Sequence, residues 1–278
     1  MAKFIWVASY PRSGNTWLRF LIANLLIKPI ESSAELNEVI PGIHRGVRAI
    51  HLFGNRTTFI KTHWAWRPDL PLREDVIGAI YIVRNPLDVA VSNANYRLLG
   101  AGERVAGMPE AERAAFQARL IDEFITEGGD PAWRQQGMGS WDENVRSWLA
   151  KSNPVPRLVL RYEDLKDDAS RQAADICRFF KLSKSPEEIA QAVERSSFRA
   201  LRAMEEREIA AKQEGFFYDR QRSGAMDAGV RFINQGEAGA GAAQLSEAQR
   251  QAALERFGPT MRIAGYLERG AEPQTAAG

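Results

Sequence analysis

Cysteine, histidine, long apolar runs and an excess of either charge are all missing or scarce in this chain of 278 residues. A single cysteine, Cys177, excludes an internal disulfide framework and fits a reducing compartment. It lies in a helical apolar pattern and reads as a packing residue. No stretch approaches the ~20 apolar residues of a membrane span, and residues 4 to 9 are too short for the core of a secretory signal. A soluble cytoplasmic protein with no membrane partner is therefore expected. Lys and Arg number 37 against 35 Asp and Glu, so no global field favours nucleic acid, and any anion site must be local. Neither clustered carboxylates nor a Cys/His set suggests a metal, and none is expected. The Gly-x-x-x-x-Gly-Lys-Ser/Thr spacing of a Walker loop is also absent.

What is present begins at the N-terminus. Phe4 to Ser9 is an apolar run that stops at Tyr10-Pro11, as a buried strand would. From Asn15 the chain is helical, with Leu18, Leu21, Ile22, Leu25 and Leu26 at spacings of three and four. Between strand and helix lies Pro11-Arg-Ser-Gly-Asn-Thr16. The free N–H groups and macrodipole of a helix start make this turn an anion cradle. Arg12 adds a fixed charge, Gly14 allows close backbone approach, and Ser13 and Thr16 add hydroxyl donors.

Lys28 to Arg56 reads as irregular, with one short helix near Ser33 to Val39. Thr57 to Lys61 is a short strand running into the aromatic loop Thr62-His-Trp-Ala-Trp-Arg-Pro68. Val76 to Val83 is another strand; it ends at Arg84-Asn85-Pro86, with Asn85 as cap and Pro86 as first residue of a helix to Leu99. Gly100 to Gly107 reads as a loop, Pro109 to Thr126 as a helix, and Gly128 to Pro131 as a break. Trp141, Val145, Trp148 and Leu149 recur at helical spacing. Arg157 to Arg161 is a strand, followed by helices over Asp168 to Phe180, Pro186 to Glu194 and Phe198 to about Lys212. Gly215 to Gly241, with six glycines and few aliphatic residues, reads as a mobile loop. A helix over Ser246 to Phe257 and an apolar segment from Met261 to Leu267 follow. Strand ends followed by polar turns and helices are the signature of βα units around a parallel sheet. With no repeat and no composition shift, one α/β domain over residues 1–269 is expected, with residues 270–278 as a fraying tail.

Tyr-Pro-Arg-Ser-Gly-Asn-Thr-Trp17 resembles the 5′-phosphosulfate loop of the sulfotransferase family. Members of that family transfer a sulfuryl group from 3′-phosphoadenosine 5′-phosphosulfate (PAPS). The resemblance extends in order along most of the chain and implies a three-layer fold like that of the P-loop NTPases. Lys61-Thr-His63 is similar to the family's Lys-Thr-His segment. There the histidine is the general base for an acceptor hydroxyl, and the lysine neutralises charge at the sulfuryl group; a base of near-neutral pKa suits that task. For His44 and His51 a capping or core role is preferred. Arg84 and Ser92, eight positions apart, resemble the family's 3′-phosphate motif, with a structural pairing of Arg84 to Asp88 as the competing explanation. Ser196-Ser-Phe198 resembles the segment whose aromatic stacks on adenine, and Trp17 matches the second adenine-facing aromatic. Arg161-Tyr162-Glu-Asp resembles the strand end whose tyrosine contacts the nucleotide.

The chain departs from the family pattern at two places. The family's Arg-Lys-Gly-x-x-Gly-x-Trp becomes Asn234-Gln235-Gly236-Glu-Ala-Gly239-Ala-Gly241, so charge-assisted bonds become neutral ones of roughly half the strength. Either Arg231, Arg222 or Arg220 compensates, or cofactor affinity is low. The first-loop lysine of the family is Arg12 here. The resemblance implies a PAPS-dependent sulfotransferase acting on a small-molecule hydroxyl. His63, Lys61 and Arg12 carry the chemistry, and Arg12, Ser13, Gly14, Asn15, Thr16, Trp17, Arg84, Ser92, Tyr162, Ser196, Phe198, Asn234, Gln235 and Gly236 bind the co-substrate. Trp64, Trp66, Phe53, Trp141 and Tyr96 are candidates for an acceptor pocket. A small-molecule kinase and an inactive nucleotide-binding protein of the same fold are the alternatives.

Overall fold

A computed structural model describes residues 3–43, 57–71, 73–233 and 239–268. His44, His51, Phe53, Asn234, Gln235, Gly236 and the tail 270–278 lie outside the described residues.

Four strands, β1 (Phe4–Ser9), β2 (Thr58–Thr62), β3 (Val76–Val83) and β4 (Arg157–Arg161), form a parallel sheet in the order β2-β1-β3-β4. Both sheet faces are covered, which is why β1 is buried throughout and reads as a continuous apolar run. Its side chains still alternate. Phe4, Trp6 and Ala8 enter one core together with Ala79, Tyr81 and Val83 of β3. Ile5 and Val7 enter the opposite core with Ile80 and Ile82.

The second core is closed by α1 (Asn15–Leu26), whose Leu18, Leu21, Ile22 and Leu25 face the sheet, and by the later helices Ala169–Phe179, Pro186–Arg195 and Phe198–Ala211. The first is closed by the helices Pro86–Gly100, Glu110–Glu127, Trp141–Leu149 and Glu247–Ile263. The expected α/β fold, a parallel sheet between two helical layers, is thus observed. No helix among the described residues is long and apolar enough to cross a membrane.

Several local features differ from the sequence reading. The stretch 100–107 holds a short helix, Glu103–Ala106, and the expected break is followed by another, Pro131–Gln135, capped by Asp130. The last helix runs past Phe257 and Pro259 to Ile263. Burial of Phe257 and Met261 and a 2.7 Å bond from Arg146 Nε to Thr260 Oγ1 hold the extra turn, offsetting the N–H that Pro259 lacks. The expectation that 215–241 lacks apolar anchors is corrected for its described part. Phe217, Tyr218, Met226 and Val230 are buried, and Ser223–Asp227 forms a short helix packed on Leu98, Leu99 and Val105. The aromatics Phe216, Phe217, Tyr218 and Phe232 supply the burial that a search for aliphatic periodicity overlooks.

Strand order decides where a ligand sits. The chain leaves β1 towards β2 on one side, and leaves β3 towards β4 on the other. The crevice beyond the carboxyl ends of β1 and β3 is therefore a topological switch point. Each strand delivers a candidate residue to that edge: Arg12 after β1, Lys61 and His63 at the end of β2, Arg84 after β3 and Tyr162 after β4.

Candidate active site

The residues at the strand ends enclose a cavity of about 400 Å³. Its walls include Arg12, Gly14, Asn15, Thr16, Trp17, Lys61, His63, Arg84, Ser92, Tyr162 and Phe198. The structure therefore brings together most of the catalytic and co-substrate candidates singled out in the sequence. Among the described ones, Ser13 and Ser196 are the exceptions. Ser13 is buried behind the turn, with its hydroxyl unpartnered among the described residues. Ser196 is buried with its Oγ accepting a 2.9 Å bond from Asn24 Nδ2, outside the cavity wall.

The first turn is built for close approach. Gly14 has φ 95°, and a Cβ there would lie 2.5 Å from the Tyr162 ring, so only glycine fits. No side chain among the described residues caps the helix that begins at Asn15, which leaves its first N–H groups to the cavity. Arg12 is itself left-handed, with φ 66°. Its Nε donates to Ser92 Oγ at 3.2 Å, and its Nη2 donates to the Phe232 carbonyl at 3.3 Å. The guanidinium lies between two rings, 4.9 Å from the centroid of Tyr96 and 4.6 Å from that of Phe232. Burial, with Arg84 and Arg222 nearby, lowers its pKa to about 10, so it stays charged at neutral pH.

Arg84 stacks 4.2 Å above the Tyr162 ring, and burial pushes the Tyr162 phenol up. The competing pairing of Arg84 is only an ion pair: its Nε stands 3.8 Å from Asp88 Oδ2 and is buried without a hydrogen-bond partner among the described residues. Asp88 is engaged elsewhere, accepting main-chain N–H bonds from Gly239 at 2.9 Å and Gly241 at 2.8 Å. An unsatisfied buried guanidinium N–H, a charged Arg12 and an uncapped helix start are the donor set that an anionic, phosphate-bearing ligand requires.

His63 has a defined orientation. Its Nδ1 lies 3.0 Å from the Ser9 carbonyl oxygen and 3.1 Å from Ser9 Oγ. A carbonyl only accepts, so Nδ1 carries the proton, and the neutral ring is left with its lone pair on Nε2. Behind it, Asn144 donates from Nδ2 to the carbonyls of His63, at 2.9 Å, and Met138, at 2.8 Å. Its Oδ1 accepts from the Tyr81 hydroxyl at 3.0 Å.

Sequence reasoning missed one wall of the cavity: Trp133, Gln136 and Met138. The signal was Asp130-Pro131, a cap followed by a first-turn proline, which announces a helix. Tyr10 places that helix by accepting the Asp130 N–H at 3.0 Å and packing edge-on against Trp133. Lys166, also missed, lines the cavity and lies 5.4 Å from the Phe198 ring centroid; it is one helical turn after Tyr162. Of the aromatics considered for an acceptor pocket, Tyr96 lines the cavity, whereas Trp141 is core and Trp64 and Trp66 pack against that core. Arg231 pairs with Glu206 at 3.0 Å, and Arg222 faces Asp219 and the Tyr96 hydroxyl.

The model of the sulfotransferase domain matches residues 3–265. The chain belongs to the sulfotransferase family. Among its relatives, Sulfotransferase 1B1 of Canis lupus familiaris is 26% identical over 213 residues, covering 70% of this chain and 65% of the relative. Human Sulfotransferase 1E1 is 26% identical over 210 residues, with the same two coverages. The chain thus spans 65% of the length of these curated relatives. Mouse sulfotransferase SULT7A1 complexed with PAP shares its fold at a TM-score of 0.64 and 21% identity, covering 95% of this chain and 87% of that one. Retinol dehydratase in complex with androsterone and PAP gives 0.59 at 19% identity, covering 98% and 82%. Membership of the sulfotransferase family agrees with the order of the strand-end segments.

Proposed function

We propose that the chain transfers the sulfuryl group of PAPS to a hydroxyl of a small-molecule acceptor. The observation that carries this reading is the meeting, in one cavity, of a histidine of fixed tautomer with a turn and an arginine pair suited to a phosphorylated nucleotide. The SULT7A1 and retinol dehydratase structures contain PAP, the nucleotide such a transfer leaves behind.

In the proposed reaction, His63 Nε2 takes the acceptor's hydroxyl proton and the oxygen attacks sulfur. The bond from sulfur to the 5′-phosphate oxygen breaks, and adenosine 3′,5′-bisphosphate leaves. Lys61, Arg12 and the N–H groups from Asn15 onward offset charge on the transferring and leaving groups. Arg84 and Ser92 hold the 3′-phosphate, while Trp17 and Phe198 face the base. Trp133, Met138, Tyr96 and Phe232 offer the acceptor an apolar wall beside His63. Retinol dehydratase, a structural relative, binds retinol and androsterone. One catalytic domain through about residue 269, in the cytoplasm, completes the proposal.

Calorimetry with adenosine 3′,5′-bisphosphate against ATP, followed by transfer of labelled sulfur from PAPS to a panel of hydroxyl compounds, tests it. Preference for the bisphosphate with label transfer is expected. Preference for ATP, or binding without any transfer, would replace it with a kinase or an inactive binder.

A further inference from the structure

Behind the site lies a buried carboxylate that the reaction does not use. Glu205, on the helix Phe198–Ala211, is fully buried, and its two oxygens accept the main-chain N–H groups of Phe232 at 2.5 Å and Ile233 at 2.9 Å. Phe232 is also the residue on which Arg12 rests, through both its carbonyl and its ring. Arg202 donates to the Ile233 carbonyl. A continuous path therefore runs from Glu205 through a single residue to the guanidinium of the first turn.

A buried carboxylate is costly, and an apolar side chain of similar size would pack the helix without that cost. What such a side chain cannot do is orient two successive peptide groups. We propose that Glu205 is a positioning residue of the site: it fixes the Phe232–Ile233 main chain and, through Phe232, sets where the Arg12 guanidinium meets an anionic group of the nucleotide. The inference rests on the sulfotransferase reading of the site for its ligand.

The groups facing Glu205 make its grip depend on pH. Arg202, on its own helix, approaches to 3.8 Å, and Arg231 stands beside Phe232, but both also engage Glu206, at 3.1 Å and 3.0 Å. Arg12 faces it from the first turn. Burial outweighs the two N–H bonds and these cations, and raises the Glu205 carboxyl to about 7. The ionised form, which accepts both N–H groups, prevails above that value. The protonated form turns an O–H towards one of them, so the hold on Phe232–Ile233 weakens as pH falls.

Glu205→Gln keeps the shape but sets an amide NH₂ against one of the two donors. Two measurements read the result: the Arg12 Nε–H resonance without ligand, assigned by its loss in Arg12→Lys, and the dissociation constant of adenosine 3′,5′-bisphosphate. In the unsubstituted protein the resonance should titrate with a midpoint near 7, and affinity should rise across the same range. In Glu205→Gln the resonance should be flat and affinity should follow only the ligand's own phosphates, whose second ionisation falls at about 6; above the midpoint affinity should be about tenfold weaker, as the loss of a charge-assisted bond implies. Thermal unfolding should be little lowered, whereas a merely structural role would lower it and leave both profiles alone. An Arg12 resonance that behaves alike in both proteins, or a variant that binds nucleotide normally, overturns the proposal. Failure of the sulfotransferase reading looks different: the unsubstituted protein then binds no bisphosphate, and the Arg12 resonance alone decides the positioning role.

Discussion

Arg12 and Ser92, 80 positions apart in the chain, are joined by a 3.2 Å hydrogen bond from Nε to Oγ. In the proposed reading the arginine serves the 5′ end of the nucleotide and the serine the 3′-phosphate. Their contact ties the first turn to the helix Pro86–Gly100 across the cavity floor, so a ligand that engages either residue alters the hydrogen bonding of the other.

The pair proposed for the 3′-phosphate gives the first prediction. Arg84→Ala and Ser92→Ala should weaken adenosine 3′,5′-bisphosphate far more than adenosine 5′-phosphate, each by about 1.5–3 kcal/mol for a hydrogen bond to a charged group. Calorimetry with both ligands measures this. Equal losses for the two would mean that the pair does not read the 3′-phosphate.

His63→Ala should lower turnover by about 10²–10⁴-fold, the usual contribution of a general base, with bisphosphate affinity nearly unchanged. Single-turnover rates and calorimetry on the same variant separate the two effects. Full turnover would remove His63 from the chemistry.

At Gly14, alanine must adopt φ 95° and meet the Tyr162 ring at 2.5 Å. The strain should cost on the order of 1–3 kcal/mol, read as a lower unfolding midpoint together with loss of nucleotide binding. Wild-type binding in Gly14→Ala would show that the turn does not approach the ligand closely.

Asn144→Ala removes the bonds that Asn144 makes to the His63 and Met138 carbonyls and to the Tyr81 hydroxyl. A loss of about 1–3 kcal/mol per buried group is the scale, and it should appear in urea unfolding. Because His63 loosens with it, turnover should fall more than nucleotide affinity does.

Stability should also depend on pH through Glu205. Its folded-state value of about 7 lies above the unfolded carboxyl range, so between about pH 4.5 and 7 the folded state holds the extra proton. Stability from this group therefore declines as pH rises through that window and levels off above it. Urea unfolding at pH 5 and pH 8 should show a decline that Glu205→Gln abolishes; an unchanged slope in the variant would assign the effect elsewhere.

Elements with a local signal can be read directly from the chain. The apolar run Phe4–Ser9 is a strand because both its faces are buried, and the Asn85-Pro86 pair starts a helix because cap and fixed φ act within two residues. The order of the segments at Arg12, Lys61, Arg84 and Tyr162 was legible for the same reason: each sits at or just after a strand end. Tertiary structure alone decided what those segments meet. The wall of Trp133 and Met138 depends on Tyr10 accepting an N–H from Asp130, 120 positions away, and Arg12 depends on Phe232 and, behind it, Glu205. Nothing near Glu205 in the chain distinguishes it from the exposed glutamates of an amphipathic helix. Its role arises from burial and from the N–H groups of a distant segment, and a buried charge acquires its meaning from partners that only the folded chain supplies.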